Sequence, residues 1–112
     1  HLKGARGLVL GVTYKKDVKD LRKSPSVKLI ELLLKAGAQV AIHDPMVPYL
    51  DIEGIKIDGM LLSPQAVSAV DCVVVAVDHS QVDYKLVLKN AKVVLDIKNV
   101  YNGVSSVKLE KL

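Results

Sequence analysis

The sequence has no phenylalanine and no tryptophan, and four tyrosines are its only FWY aromatics. The aromatic platforms on which single-stranded bases stack are therefore nearly absent, so nucleic acid is not an expected partner. A single cysteine, Cys72, excludes an internal disulfide framework and any zinc site with two or more Cys ligands, and it fits a reducing compartment. No apolar run approaches the ~18 residues a membrane span needs. The longest, Val73 to Val77, is strand-sized, so no membrane partner is expected. A signal-peptide pattern and an initiator Met are also missing, which points to a cytoplasmic fragment or processed chain.

What is present is enough for one domain. A chain of 112 residues buries on the order of 65% of the surface its unfolded form exposes, and half of these residues are hydrophobic. Lys and Arg number 16 against 12 Asp and Glu, giving +4 and a pI near 9.2. That balance favours anionic partners without naming them.

Arg6 to Val12 (RGLVLGV) is an apolar run without alternation, as expected of a strand covered on both faces. Ser24-Pro25 marks a helix start, with Ser as N-cap and Pro at the first helical position. Val27, Ile30, Leu33 and Leu34 share one face of that helix, Leu29 and Leu32 widen it, and Gly37 closes it. Gln39 to His43 is a second strand, stopped by Asp44-Pro45, with a weak strand at Ile55 to Ile57. Ser63-Pro64 starts a short helix through Val70, and Asp71 to Val77 is another buried strand. Val82 to Lys89 reads as a helix and Lys92 to Ile97 as the last clear strand, leaving the tail from Gly103 unassigned. Strands separated by helices imply βαβ units. The expected fold is α/β, a Rossmann-like three-layer sandwich with a mainly parallel sheet, forming one domain over residues 1–112.

In such sheets ligands bind beyond the carboxyl ends of the strands, where strand order reverses. Those ends carry Thr13 to Lys23, His43-Asp44-Pro45, Asp78-His79-Ser80 and Lys98-Asn99. A dinucleotide-binding domain places a G-x-G-x-x-G turn after its first strand, yet no glycine lies between Gly11 and Gly37. Lys15, Lys16, Lys19, Arg22 and Lys23 stand there against Asp17 and Asp20, five cations against two anions and a local balance of +3. Either side chains rather than main-chain amides hold an anion here, or the loop is simply a solvated basic segment. Cys72 is expected in the middle of a buried strand, as a small apolar residue. His43 and His79 lie near Asp44 and Asp78; without a third ligand at suitable spacing no metal site is expected, and loop or capping roles are the alternative to a metal pair. Asp96 either faces the site or caps a turn or pairs with Lys98. No Ser-His-Asp elbow, P-loop or HExxH occurs, so no catalytic residue is assigned.

Gly11 to Pro25 (GVTYKKDVKDLRKSP), Gly37-Ala38 and His43 to Pro48 (HDPMVP) together resemble the C-terminal domain of the UDP-glucose/GDP-mannose dehydrogenase superfamily. Val77-Asp78-His79 and Asp96-Ile97-Lys98-Asn99 are similar to that family's TDH and DTRN segments. The details look closest to the branch acting on UDP-N-acetylglucosamine, with the UDP-glucose and UDP-N-acetylmannosamine enzymes as near relatives. The resemblance implies the nucleotide-sugar-binding third of a longer, NAD-dependent, homo-oligomeric 6-dehydrogenase that serves polysaccharide biosynthesis. NAD would be bound mainly by an N-terminal domain, and a central region would carry the catalytic cysteine, which Cys72 does not match. The partners implied are a UDP-sugar and the remaining domains of the same enzyme, and the domain alone is expected to be inactive. By the same resemblance Lys15 and Lys98 contact the nucleotide sugar and Arg22 reaches the cofactor side. Lys23 stands where the family has Glu, Ile97 where it has Thr, and Lys98 where it has Arg, so any anion contact at Lys98 loses the bidentate fork. The alternative is a stand-alone, non-catalytic nucleotide- or partner-binding module.

Overall fold

Leu8, Val9 and Leu10 are all fully buried although they alternate between the faces of one strand, so apolar layers must cover both sides. The computed structural model describes residues 3–12, 25–45, 47–52 and 54–111. Its elements run β1 (Arg6–Leu10), α1 (Pro25–Lys35), β2 (Gln39–His43), β3 (Tyr49–Ile52), β4 (Ile55–Asp58), α2 (Pro64–Ala69), β5 (Cys72–Val75), α3 (Tyr84–Asn90), β6 (Val94–Asp96) and β7 (Leu109–Lys111). Five strands form one sheet in the order β2-β1-β5-β6-β7, and every neighbouring pair in it is parallel. Leu8, Leu10, Val73, Val75 and Val94 pack on one face with Val67 of α2 and Val87 of α3. On the other face Val9 and Ile42 meet Ile30 of α1 together with Leu50, Ile52 and Ile57 of the antiparallel β3–β4 hairpin. The fold is thus the expected α/β sandwich.

Local chemistry sets the element ends. Ser63 Oγ accepts from Ala66 N at 3.0 Å, capping α2 as its Ser-Pro start implies. Asp83 caps α3 by accepting from Leu86 N at 3.1 Å, so that helix begins at Tyr84 rather than Val82. Past Lys35 the chain closes α1 with Gly37 N donating to Leu34 O and Ala38 N to Leu33 O, both at 3.1 Å. Ser24 lies outside the described residues. Leu32, expected on the apolar face of α1, is 57% exposed.

The strands are shorter than their apolar runs. β1 stops at Leu10 because Leu10 O accepts from both Ala76 N and Val77 N, and Gly11 N turns to His43 O. β5 covers four residues and β6 three, although Ala76 N still donates to Leu10 O and Ile97 N to Val75 O just beyond their ends. The weak strand is real but pairs with Tyr49–Ile52, a segment not expected as a strand, and the unassigned tail supplies β7.

Candidate functional site

The chain runs from β1 outward to β2, then returns to the other side of β1 to lay down β5. Strand order therefore reverses at β1, and the segments leaving β2, β1 and β5 meet over its carboxyl end. Asp44, just past β2, is buried, and its Oδ2 accepts from Val12 N at 2.8 Å. His79, past β5, brings Nε2 to 3.0 Å from the same Oδ2, with both side chains fully buried. One carboxylate oxygen thus ties three strand exits together. Val12, Asp44, Asp78, His79 and Ser80 each take part in further interactions.

The polar path continues toward β6. His79 N donates to the Tyr84 hydroxyl at 2.9 Å, and that hydroxyl donates to Val77 O at 3.0 Å. The Tyr101 hydroxyl donates to Tyr84 O at 2.6 Å, and the two rings meet edge to face, 6.1 Å apart at 83°. Burial, as the leading cause, pushes the Tyr84 phenol up to about 12 and raises that of Tyr101 as well, where the Asp96 charge adds to it. Asp96 is fully buried and accepts from Val100 N at 3.1 Å and Tyr101 N at 3.0 Å. It therefore caps the turn that carries Lys98 and Asn99. Asn99 sits at φ 59, a left-handed conformation that Asn tolerates better than most residues.

Of the expected site residues, Lys98 lies exposed at the carboxyl end of β6. Lys15 and Arg22, with the rest of the basic loop, fall outside the described residues. The two histidines do not converge on a metal pair: His43 Nδ1 donates to Met60 O at 2.7 Å, whereas His79 turns to Asp44. Among the described residues no group of three or more His, Cys, Asp or Glu could hold a metal ion. Cys72 opens β5 instead of lying mid-strand and is only partly buried, yet burial still raises its thiol pKa. It starts the strand whose far end carries the site, about 10 Å away at ~3.3 Å per residue.

At the switch point the described backbone gives Gly11 a packing role. Gly11, at φ +89, is pressed against β5, where an added Cβ would stand 2.5 Å from Val77 Cβ. The glycine serves close contact between two strand exits.

Sequence reasoning set His79 beside its neighbour Asp78 and left Tyr84 and Tyr101 out of the site. Pairing across the sheet was the missing step, because β2 and β5 are both neighbours of β1. The tyrosines carried a usable signal: in a chain so poor in aromatics, a buried phenol must find a polar partner.

These features define a doubly wound α/β domain with a buried polar network at its switch point. The family described as "UDP-glucose/GDP-mannose dehydrogenase family, UDP binding domain" matches residues 8–103, and the chain belongs to that family. It is 35% identical over 103 residues to the UDP-N-acetyl-D-mannosamine dehydrogenase of Methanococcus maripaludis, covering 82% of this chain and 22% of that protein. It is 33% identical over 109 residues to Protein CapL of Staphylococcus aureus, covering 92% and 25%. The solved UDP-N-acetyl-mannosamine dehydrogenase Cap5O from S. aureus superposes with a TM-score of 0.71 at 28% identity, over 96% of this chain and 26% of that one. The chain spans about a quarter of the length of such relatives. No helix among the described residues is long and apolar enough to cross a membrane.

Proposed function

We propose that this chain is the nucleotide-sugar-binding domain of an NAD-dependent 6-dehydrogenase that oxidises the C6 alcohol of a UDP-N-acetylhexosamine, UDP-N-acetylglucosamine or its manno relative, to the uronate. The observation that carries the reading is the family match over residues 8–103, which spans every segment of the switch-point rim. The N-acetylhexosamine assignment is favoured by relatives named for UDP-N-acetyl-D-mannosamine, matched at up to 35% identity, over the UDP-glucose 6-dehydrogenase of Rickettsia prowazekii at 29%.

In this reading Lys15 and Lys98 hold the nucleotide sugar, and Arg22 reaches across the cleft toward NAD seated on a neighbouring domain. A loop without glycine offers no amide cradle, but long cationic side chains can reach a ligand held elsewhere. Their grip on a diphosphate favours closure of the cleft and excludes water from the reacting centre. The chemical step itself belongs to the rest of the enzyme, as do NAD binding and assembly into oligomers in the cytoplasm.

Steady-state kinetics of the full-length enzyme test this. The expected outcome is a higher kcat/KM for a UDP-N-acetylhexosamine than for UDP-glucose, and a raised UDP-sugar KM in Lys15→Ala and Lys98→Ala. A preference for UDP-glucose overturns the sugar assignment, and unchanged KM values in both variants overturn the assigned contacts.

A further inference from the structure

Asp44 and His79 form a fully buried ionisable pair to which the reading above gives no role. Burying such a pair carries a desolvation cost that an apolar pair of similar volume avoids, so its presence calls for a positional explanation. The position is specific. Oδ2 of Asp44 takes the last amide before the basic loop, Val12 N, and holds it against His79 on the far side of β1. From His79 the hydrogen bonds pass through its own backbone N–H to the Tyr84 hydroxyl, then from Tyr84 O to the Tyr101 hydroxyl, and by Tyr101 N to Asp96. Asp96 in turn shapes the turn that bears Lys98. Every link of this path lies at 3.1 Å or less.

We infer that Asp44 and His79 are positioning residues for UDP-sugar binding, fixing the exit of β1 at Val12 and, through Tyr84 and Tyr101, tying it to the turn that bears Lys98. The inference rests on the UDP-sugar reading above. Its physical core is that a long lysine or arginine side chain keeps much rotamer freedom until it is bound. Such a side chain grips an anion well only if its backbone is already held. An amide cradle needs no such brace; a side-chain grip does. As positioning residues the pair acts through the backbone it holds, so its loss weakens binding and leaves the chemical step alone.

The test uses three substitutions in the full-length enzyme, with UDP titrated calorimetrically against the 112-residue chain carrying the same changes. His79→Leu removes the partner of Asp44. His79→Gln keeps a nitrogen donor near the Nε2 position, and Tyr84→Phe keeps the ring but deletes the hydroxyl. The expected result for His79→Leu is a UDP-sugar KM and a UDP Kd raised about 10-fold, with kcat within about twofold of the parent. That corresponds to about 1.4 kcal/mol of binding. His79→Gln should bring both values back to within about threefold, a rescue that a role in mere cavity filling does not produce. Should His79→Leu fail to fold, Tyr84→Phe alone decides, with an expected rise in KM of about threefold at unchanged kcat.

Unchanged KM and Kd in the folded variants overturn the inference, as does a loss confined to kcat. A parent that neither binds UDP nor uses a UDP-sugar overturns the functional reading instead, and the inference falls with it.

Discussion

Gly11→Ala perturbs the point where the exits of β1 and β5 touch. Gly11 has φ +89, and a Cβ built there stands 2.5 Å from Val77 Cβ and 3.0 Å from Val77 N. Two penalties follow. Holding an L-residue in a left-handed conformation costs roughly 1–2 kcal/mol, of which the stiffer unfolded chain returns about 0.4–1. Overpacking against backbone that cannot swing aside costs about 1–3 kcal/mol. The expected loss is therefore about 1–4.5 kcal/mol. Gly54→Ala isolates the first penalty, since Gly54 has φ +84 but nothing within 4 Å of its added Cβ. Urea unfolding followed by far-UV circular dichroism measures both. With m about 2 kcal/mol/M, Gly11→Ala lowers the midpoint by about 0.5–2 M and Gly54→Ala by roughly 0.4 M. Equal midpoints in the two variants would refute the claim that close contact, beyond backbone conformation, requires glycine at position 11.

Tyr84 and Tyr101 make stability fall at high pH. Burial raises both phenols in the folded chain, Tyr84 to about 12 from its ordinary value of 10.0. Across that window the unfolded chain holds fewer protons than the folded one, so stability is constant below about pH 10 and declines through 12. Urea midpoints measured against pH should show a shallower decline in Tyr84→Phe, and identical slopes would contradict the assignment. Asp96→Ala strips two backbone amides of a buried carboxylate. At about 1.5–3 kcal/mol for each charge-assisted bond it should cost about 3 kcal/mol or more, with Asp96→Asn milder, both read from the same unfolding curves. The thiol of Cys72, its pKa raised by burial, should react slowly with iodoacetamide near neutral pH. Cys72→Ala should leave turnover by the full-length enzyme unchanged, and a lost turnover would assign the thiol a role in the chemistry.

Much of the sheet could be read from the chain because its signals are local. β2 needed only QVAIH followed by Asp-Pro, and α2 only its Ser-Pro start. The hairpin partner Tyr49–Ile52 escaped notice because it is four residues long, lies next to Pro48 and alternates only through Leu50 and Ile52. β7 escaped because a three-residue edge strand takes its order from β6 rather than from its own residues. The site was legible as a set of segments, since parallel topology alone gathers 43–45, 78–80 and 98–99 at one edge. Its pairings were not. Which histidine meets which carboxylate depends on strand order, so His79 joined Asp44 across β1 while His43 turned to Met60 O. Lys98 was assigned from the family motif, whereas Tyr84 and Tyr101 required the fold before their hydroxyls had partners.

Two-dimensional amide NMR of the ¹⁵N-labelled chain titrated with UDP tests the central claim most directly. The account predicts shifts concentrated at Val12, Asp44, Asp78 to Ser80 and Lys98 to Asn99, growing with UDP and competed away by UDP-sugar. Shifts gathered at the opposite edge of the sheet, around Arg6, Asp71 and Cys72, or none at millimolar UDP, would contradict it.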